Sequence, residues 1–194
     1  MCCGKPVRYM EQEYCYDCAH THHYYDRGMA LWLHKKPVSQ SIYQFKFHNQ
    51  RSFGKYYAKE MVSQHKGTLH SLNTDIIIPI PLHSKKRRKR GYNQAEIVAK
   101  EIGKLLAIPV DEKILERTQD TNPQKTLDPQ KRRKNIRTAF EVRKEKSEML
   151  RGKAVLLIDD IYTTGSTMDE AARILKKAGA EKVYYLTISI GQGY

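Results

Sequence analysis

Residues 155–167 constrain the fold more than any other part of this chain. They read Val-Leu-Leu-Ile-Asp-Asp-Ile-Tyr-Thr-Thr-Gly-Ser-Thr, an apolar run followed by two aspartates and a turn rich in hydroxyl groups. The continuous apolar run over residues 154–158 predicts a buried parallel strand. An amphipathic pattern follows and ends at Gly179, and residues 183–190 predict another strand. A strand, a helix and a strand in this order predict an α/β layer with a mainly parallel sheet.

The turn at residues 163–167 has the composition of a phosphate cradle. Gly165 allows a backbone conformation in which several amide groups face one point. The positive end of the following helix dipole points to the same place, and Thr167 with Glu170 predicts a capping box at the start of that helix. A Walker A loop is excluded because the sequence has no G-x-x-x-x-G-K-[ST] pattern. Four side chains add hydroxyl donors: Thr163, Thr164, Ser166 and Thr167.

Asp159 and Asp160 follow the apolar run at the carboxyl end of the predicted strand, where open α/β sheets bind their ligands. We expect the chain to curl at this point, so that both carboxylates reach one ligand. Carboxylates accept hydrogen bonds from the vicinal hydroxyls of a ribose and can help to hold a hydrated Mg²⁺ ion. A phosphate cradle beside diol acceptors predicts a ribose 5-phosphate site. The alternative is an aspartate helix cap beside a Ser/Thr turn.

All four cysteines lie within the first 18 residues. Cys15 and Cys18 form a C-x-x-C pair, which is half of a typical structural zinc site. Cys2 and Cys3 resemble the end of a second knuckle whose first cysteine would precede Met1, or Cys2 takes that place. The other reading is a set of free thiols at a frayed terminus. The predicted zinc ligands are Cys2, Cys3, Cys15 and Cys18, with His20, His22 and His23 as alternative nitrogen donors.

The middle of the chain predicts further elements of the same layer. Residues 38–66 predict two helical pieces that end at Gly67. Residues 76–81 predict a short buried strand that two prolines end. Asn93 and Glu96 predict a capping box that opens the next helix.

A polar loop covers residues 117–135, and strand-like residues follow at 139–142. Polar loops of this length are usually functional or disordered.

The chain is strongly basic, with 35 Lys and Arg against 21 Asp and Glu and a net charge of +14. This excess favours partners that carry phosphate: nucleotides, nucleic acid or an anionic membrane surface. Much of it lies in two cationic runs, residues 85–90 and 131–134. These runs predict a solvated face, a set of cations that serve a pyrophosphate, or a track for nucleic acid. Bases could stack on tyrosines such as Tyr56, Tyr57 and Tyr92.

The sequence has no apolar run of signal-peptide type near its start and no stretch of the roughly 18–20 apolar residues that span a bilayer. It therefore predicts a soluble cytoplasmic protein. In that compartment cysteines are more often metal ligands or thiols than disulfides.

Residues 155–167 resemble the motif that binds 5-phosphoribosyl-1-pyrophosphate (PRPP) in type I phosphoribosyltransferases. The rest of the chain resembles the ComF family of competence proteins. The resemblance lies in the cysteine knuckles, in Ile78-Pro-Ile-Pro-Leu82, in Arg90-Gly-Tyr-Asn-Gln-Ala95, and in Arg117 with the loop up to Arg133, Asn135 and Ala139-Phe140.

The resemblance implies the Rossmann-like fold of type I phosphoribosyltransferases, a parallel α/β sheet flanked by helices, with a small N-terminal zinc-knuckle region. Residues 1–37 would form the cysteine region and residues 38–194 the phosphoribosyltransferase-like domain. Asp159 and Asp160 would contact the ribose hydroxyls, and residues 163–167 would hold the 5-phosphate with Mg²⁺ nearby. The pyrophosphate would meet Leu82, His83, Arg87 and Arg90, and the loop at residues 117–135 would close over it as a lid.

The family's setting implies natural transformation and the handling of imported single-stranded DNA, together with other competence or recombination proteins. The DNA contacts would be Lys85, Lys86, Arg87, Arg88, Lys89, Arg90, Lys131, Arg132 and Arg133. Whether the chain catalyses transfer stays open. The alternatives are a metabolic phosphoribosyltransferase acting on a nucleobase or amine, and a sensor that binds PRPP without chemistry.

Overall fold

The computed structural model describes residues 2–7, 9, 11–119 and 139–192. Its main sheet has four strands in the order β1-β6-β5-β2, and every neighbouring pair is parallel. These strands are β1 (Arg27–Leu33), β2 (Ile76–Pro79), β5 (Ala154–Tyr162) and β6 (Lys182–Ile190). A separate antiparallel pair consists of β3 (Leu115–Arg117) and β4 (Phe140–Val142). The predicted α/β class with a parallel sheet is confirmed.

Helices cover both faces of the sheet. The described helices are α1 (Tyr16–His20), α2 (Val38–Phe47), α3 (Phe53–Ser71), α4 (Ser84–Arg90), α5 (Gln94–Leu106) and α6 (Ser166–Lys177), and a 3₁₀ helix covers Lys144–Leu150. One core cluster includes residues of α6, the small sheet and the N-terminal segment. The other includes residues of α2, α3 and α5. The sheet is therefore the middle layer of three.

Strand β5 contributes to both cores because its side chains alternate between the two faces. Val155 and Leu157 belong to the cluster with α6, whereas Leu156 and Ile158 belong to the cluster with α2, α3 and α5. All four are fully buried. Burial on both faces explains why this strand reads as a continuous apolar run.

Strand β1 was not predicted from the sequence. It lies within the range 1–37 that the sequence analysis gave to the cysteine region, yet it pairs with β6 along its length. The N-terminal segment packs against it, since Gly28 N–H donates to the carbonyl of Cys2 at 2.7 Å. The sheet thus includes part of the range assigned to the cysteine region.

Two of the predicted helix boundaries, the end of α3 and the start of α6, are wrong. Helix α3 passes through Gly67 and continues to Ser71, with a kink at His65, because its later turn still buries Leu69. Helix α6 starts at Ser166 with Gly165 at its N-cap, so the predicted capping box from Thr167 to Glu170 does not form. The Glu170 carboxylate instead pairs with Arg173 at 2.7 Å.

The predicted start of α5 is confirmed. Asn93 is its N-cap, and the Asn93 side chain accepts a hydrogen bond from the Ala95 N–H at 3.1 Å. A second hydrogen bond joins the Asn93 amide to the carbonyl of Ile80 at 3.0 Å. This one side chain therefore caps α5 and ties it to the chain just after β2.

The close approach of β1 to β6 gives a test of the packing. A Cβ on Gly28 would lie 2.2 Å from the ring of Tyr185, which is fully buried. We expect Gly28→Ala to lower the free energy of unfolding by about 1–3 kcal/mol, measured by urea denaturation.

Gly67→Ala is the matched control. It adds the same methyl group where no atom lies within 4 Å. Because alanine favours a helix over glycine, we expect a gain of about 0.5–1 kcal/mol. Equal stability of the Gly28 variant and the wild-type chain would contradict the packing described here.

Candidate functional site

The two aspartates of β5 lie on opposite faces of the sheet. Strand β5 does not end at residue 158 but continues to Tyr162, because Ile161 and Tyr162 still pair with Ser189 and Ile190 of β6. Consecutive strand residues point in opposite directions. In this structure Asp159 lines the pocket at the turn, whereas Asp160 pairs with Lys46, and the expectation that both carboxylates reach one ligand stays a prediction.

Asp159 lines a small pocket together with the turn that follows the strand. The pocket is lined by residues 159 and 161–168. It lies at the carboxyl end of β5 and at the N-terminus of α6, as the sequence pattern predicted. The structure thus brings Asp159 together with Thr163, Thr164, Gly165, Ser166 and Thr167.

Gly165 is required at the centre of this turn for two reasons. Its φ of +79° lies in the left-handed region. A Cβ at this position would also lie 2.2 Å from the hydroxyl of Tyr162. Beside it, the hydroxyls of Thr164 and Ser166 are 3.0 Å apart. The turn therefore gathers hydroxyl groups and the free N–H groups of the first turn of α6 around one point.

The environment of Asp159 raises the pKa of its carboxyl group. Burial, and then the charge of Asp160, raise the pKa of Asp159 to about 7, against the opposing effects of Lys46 and Arg117. The Asp159 carboxylate accepts the backbone N–H of Asp160 at 2.8 Å. Among the described residues no cation lies within ion-pair distance of Asp159. A carboxyl group in this state gains from a hydroxyl donor or a cation brought by a ligand.

Asp160 lies on the other face and is neutralised there. Lys46 of α2 reaches its carboxylate at 2.7 Å, and both side chains are largely buried. Sequence reasoning missed Lys46. Its position in the last turn of an ordinary amphipathic helix carries no signal of this contact.

The predicted pyrophosphate residues surround helix α4. Leu82 and His83 follow β2, and the His83 ring caps α4 by accepting from the N–H of Lys85 at 3.4 Å. Arg87 is turned towards α5, where it pairs with Glu96 at 3.0 Å. Arg90 donates to the side chain of Gln94 at 2.5 Å.

The first cationic run forms helix α4, which ends at Gly91 in the left-handed conformation. Lys85, Arg87, Arg88 and Lys89 are exposed, whereas Lys86 and Arg90 are half-buried. Lys131, Arg132 and Arg133 lie outside the described residues, as does most of the predicted lid at residues 117–135.

The tyrosines predicted to stack bases have different environments. Tyr57 is a core residue that is 2% exposed. Tyr92 is also buried, with its hydroxyl donating to the carbonyl of Phe45. Tyr56 is exposed and stacks on Trp32. Only Tyr56 of these three therefore presents most of its ring to solvent.

Three of the four cysteines form a cluster that could hold a metal ion. The sulfurs of Cys3, Cys15 and Cys18 all lie within 4.8 Å of one another, and those of Cys3 and Cys15 are 3.3 Å apart. A tetrahedral zinc ion with bonds of about 2.3 Å places its sulfur ligands about 3.8 Å apart, so the spacing fits. Cys2 lies beside Cys18 but outside the group of three.

None of the candidate histidines belongs to this cluster of described residues. His20 stacks on Tyr16, and His23 stacks on Tyr25. Burial first, and then the neighbouring Cys18, raise the pKa of Cys2 to about 11. Cys2 is thus the remaining thiol close to the cluster.

The cysteine segment contacts the turn of the pocket directly. The Tyr25 and Tyr162 hydroxyls are 2.7 Å apart, and the Tyr162 ring stacks on Tyr185 at 4.9 Å between centroids. Tyr185 in turn donates to the carbonyl of Cys3 at 2.6 Å. The N–H of Tyr24 donates to the side chain of Asp169 in the first turn of α6. Sequence reasoning missed these contacts because they join residues far apart along the chain.

In the part of the chain that the structure describes, no helix has the length and apolar character needed to cross a membrane.

Comparison with known proteins agrees with this geometry. Residues 58–189 match the family model of the phosphoribosyl transferase domain, a range that includes β2, β5, all but the last residue of β6, and the pocket. Competence protein F of Haemophilus influenzae is 32% identical over 184 residues, which cover 93% of this chain and 80% of that protein. DNA utilization protein YhgH of Escherichia coli O157:H7 is 27% identical, with 93% and 79% covered.

Among solved structures, the glutamine PRPP amidotransferase of B. subtilis complexed with ADP and GMP is 19% identical. It aligns with a TM-score of 0.47 over 71% of this chain and 26% of that chain. From the domain match and the similarity to competence protein F, the chain belongs to the phosphoribosyl transferase domain family and, within it, to the ComF group.

The raised pKa of Asp159 predicts how the free energy of unfolding depends on pH. Its carboxyl holds a proton more tightly in the folded chain, with a pKa of about 7 against an ordinary value of 3.8. Ionisation of Asp159 therefore costs stability as the pH rises between these two values. We expect Asp159→Asn to stabilise the chain more at about pH 8 than at about pH 5, by about 1–2 kcal/mol after allowance for partial exposure.

The measurement is chemical denaturation at both pH values in a buffer with a chelator. Asp160→Asn is the matched control: it removes the partner of Lys46, so it lowers stability at both pH values. A pH-independent effect of Asp159→Asn would contradict the proton-holding environment described here.

Proposed function

We propose that this chain binds PRPP at the pocket lined by residues 159 and 161–168 and that it acts in DNA uptake or utilization. One observation carries the ligand: the hydroxyl-rich turn at the N-terminus of α6 lines the same pocket as the Asp159 carboxyl. The turn suits a 5-phosphate, and the carboxyl suits a ribose hydroxyl. The names of the similar proteins, competence protein F and DNA utilization protein, support the setting.

In this proposal the 5-phosphate accepts hydrogen bonds from the first N–H groups of α6 and from Thr163, Thr164, Ser166 and Thr167. Asp159 accepts a ribose hydroxyl, and Asp160 braces the strand through Lys46 rather than facing the phosphate. The pyrophosphate lies towards Leu82, His83, Arg87 and Arg90, because β2 ends beside β5 at the same edge of the sheet. Arg87 would first have to leave Glu96.

Mg²⁺ fits this site as an ion that arrives with PRPP. It prefers oxygen ligands and usually binds through one or two carboxylates together with substrate phosphates. Asp159 is half-buried and has no cationic partner among the described residues. Its carboxylate oxygens would therefore hold the hydrated ion in this pocket. When bound, Mg²⁺ neutralises pyrophosphate charge.

The ligand is tested by calorimetry with PRPP and Mg²⁺. We expect Asp159→Asn to bind PRPP at least about ten-fold more weakly, since the charged hydrogen bond that it loses contributes roughly 1.5–3 kcal/mol. Asp75→Asn is the matched control, because Asp75 pairs with Lys153 at the amino end of the same sheet. Equal affinity of Asp159→Asn and the wild-type chain would refute the site.

Binding and catalysis need separate measurements. Pyrophosphate release in the presence of nucleobases, amines and DNA separates a transferase from a chain that only binds PRPP. A transferase in this fold needs no covalent nucleophile, because positioning and charge neutralisation supply most of the rate.

We also propose that the cysteine cluster binds one structural zinc ion through Cys3, Cys15 and Cys18, with Cys2 as the fourth ligand. The spacing of the three sulfurs supports the site. We expect elemental analysis to find about one zinc per chain and Cys15→Ser to lose it with a fall in thermal stability. A folded chain that contains no zinc would contradict the proposal. A cytoplasmic location stays a prediction.

A further inference from the structure

A cationic cavity lies between the end of α2 and helix α4, away from the turn at residues 163–167. Its volume is about 650 Å³, within the range of about 300–1,000 Å³ typical of small-molecule sites. Among the residues that the structure describes, no carboxylate lines it. Five basic residues do: Lys46, Arg51, Lys86, Lys89 and Arg90.

Only one face of α4 reaches this cavity. Lys86, Lys89 and Arg90 line it, whereas Lys85 and Arg88 do not. This division follows from helical geometry, in which residues three and four positions apart share a face. Arg87 is also directed elsewhere, to Glu96. Three of the six cations in residues 85–90 therefore line the cavity, so the run is not a uniform track for nucleic acid.

Aromatic rings accompany these cations. Phe47 lines the cavity although 59% of its surface is exposed. Tyr43 lies beside it with 5.0 Å between ring centroids and is 54% exposed. The Arg90 guanidinium lies 5.0 Å from the centre of the Phe47 ring. Arg51 and Tyr92 also line the cavity, and the Arg51 guanidinium lies 4.6 Å from the centre of the Tyr92 ring.

The combination of charges and rings indicates the class of ligand. Inorganic phosphate or pyrophosphate needs cations but gains nothing from an exposed phenyl ring. A nucleotide unit uses both, because its base stacks on an aromatic face while its phosphate binds lysine and arginine. The charge of Asp160, the carboxylate next to the cavity, is offset by Lys46 at 2.7 Å.

We propose that this cavity binds single-stranded nucleic acid, with a base stacked on Phe47 and backbone phosphates on Lys86, Lys89 and Arg51. The inference rests on the proposed role in DNA utilization and deepens it by giving the strand a site. It replaces Tyr56, Tyr57 and Tyr92 as stacking residues with Phe47, flanked by Tyr43. The site needs no base sequence, since every base has a face that can stack.

The stacking contact is tested by fluorescence anisotropy with an oligothymidine and with an abasic strand of the same length. We expect Phe47→Ala to weaken binding of the oligothymidine about ten-fold and to leave the abasic strand unchanged. Tyr56→Ala, which removes an equally exposed ring on α3, leaves both affinities unchanged. Unchanged oligothymidine binding by the Phe47 variant would overturn the proposal.

The phosphate contacts are tested with two variants that lose the same charge. Lys86→Gln with Lys89→Gln removes cations that line the cavity, and Lys85→Gln with Arg88→Gln removes cations from the rest of the helix. We expect the first pair to reduce the slope of log affinity against log salt by about 1.4, from about 0.7 per lost contact. The second pair changes it little. Equal effects of the two pairs would overturn the proposal, because they would indicate a general electrostatic attraction of DNA to the whole helix.

Calorimetry with PRPP and with inorganic pyrophosphate separates this inference from the proposed function. If Lys86→Gln with Lys89→Gln abolishes pyrophosphate binding and leaves DNA binding intact, the cavity is a pyrophosphate subsite and the inference fails. If the wild-type chain binds no PRPP but the Phe47 result holds, the PRPP proposal fails and the nucleic-acid site stands.

Discussion

The pairing of β5 with a parallel strand on each side is the constraint on which the rest of the molecule depends. Because β2 and β6 satisfy both of its edges, β5 can be fully apolar and can contribute side chains to both cores. The same pairing continues beyond residue 158 and carries polar residues to the carboxyl edge of the sheet. The position of the pocket follows from where this strand ends and α6 begins.

That continuation also gives the two neighbouring acids different surroundings. Asp159 faces the turn and keeps a raised pKa, whereas Asp160 faces α2 and has a lysine partner. Two carboxylates on one side would repel each other beside any phosphate ligand. On opposite sides, one is free for a ligand and the other anchors the helix whose end borders the cationic cavity. Lys46 therefore lines the cationic cavity and also contacts Asp160, which is next to the pocket residue Asp159.

The part of the fold that could be predicted from the sequence has strong local signals. The run before Asp159 marks a strand buried on both faces, and Asn93 is a side-chain cap that acts within three residues. The turn around Gly165 was predictable because its backbone needs a glycine.

The features that could not be predicted depend on distant partners. Strand β1 is a short apolar segment that becomes a strand only because β6 pairs with it. Lys46 and Phe47 lie on a helix that carries no recognisable motif. Their proposed roles depend on contacts with Asp160 and Arg90, which are distant in sequence. The split of the aspartates depends on pairing with Ser189 and Ile190, which lie some thirty residues further along the chain. Local patterns therefore located the turn but not the groups that surround it.

The contact between Tyr25 and Tyr162 bears on how this chain can be divided or joined to another. The division suggested by the cysteine-rich start would place a truncation near residue 37. That truncation would remove β1 from the sheet and would take away Tyr25, which packs against the Tyr162 and Tyr185 rings. The tyrosine that crowds Gly165 would lose its hydroxyl partner at the same time. The N-terminal segment thus packs against the turn as well as against the sheet. A fusion partner or affinity tag is better attached away from this segment.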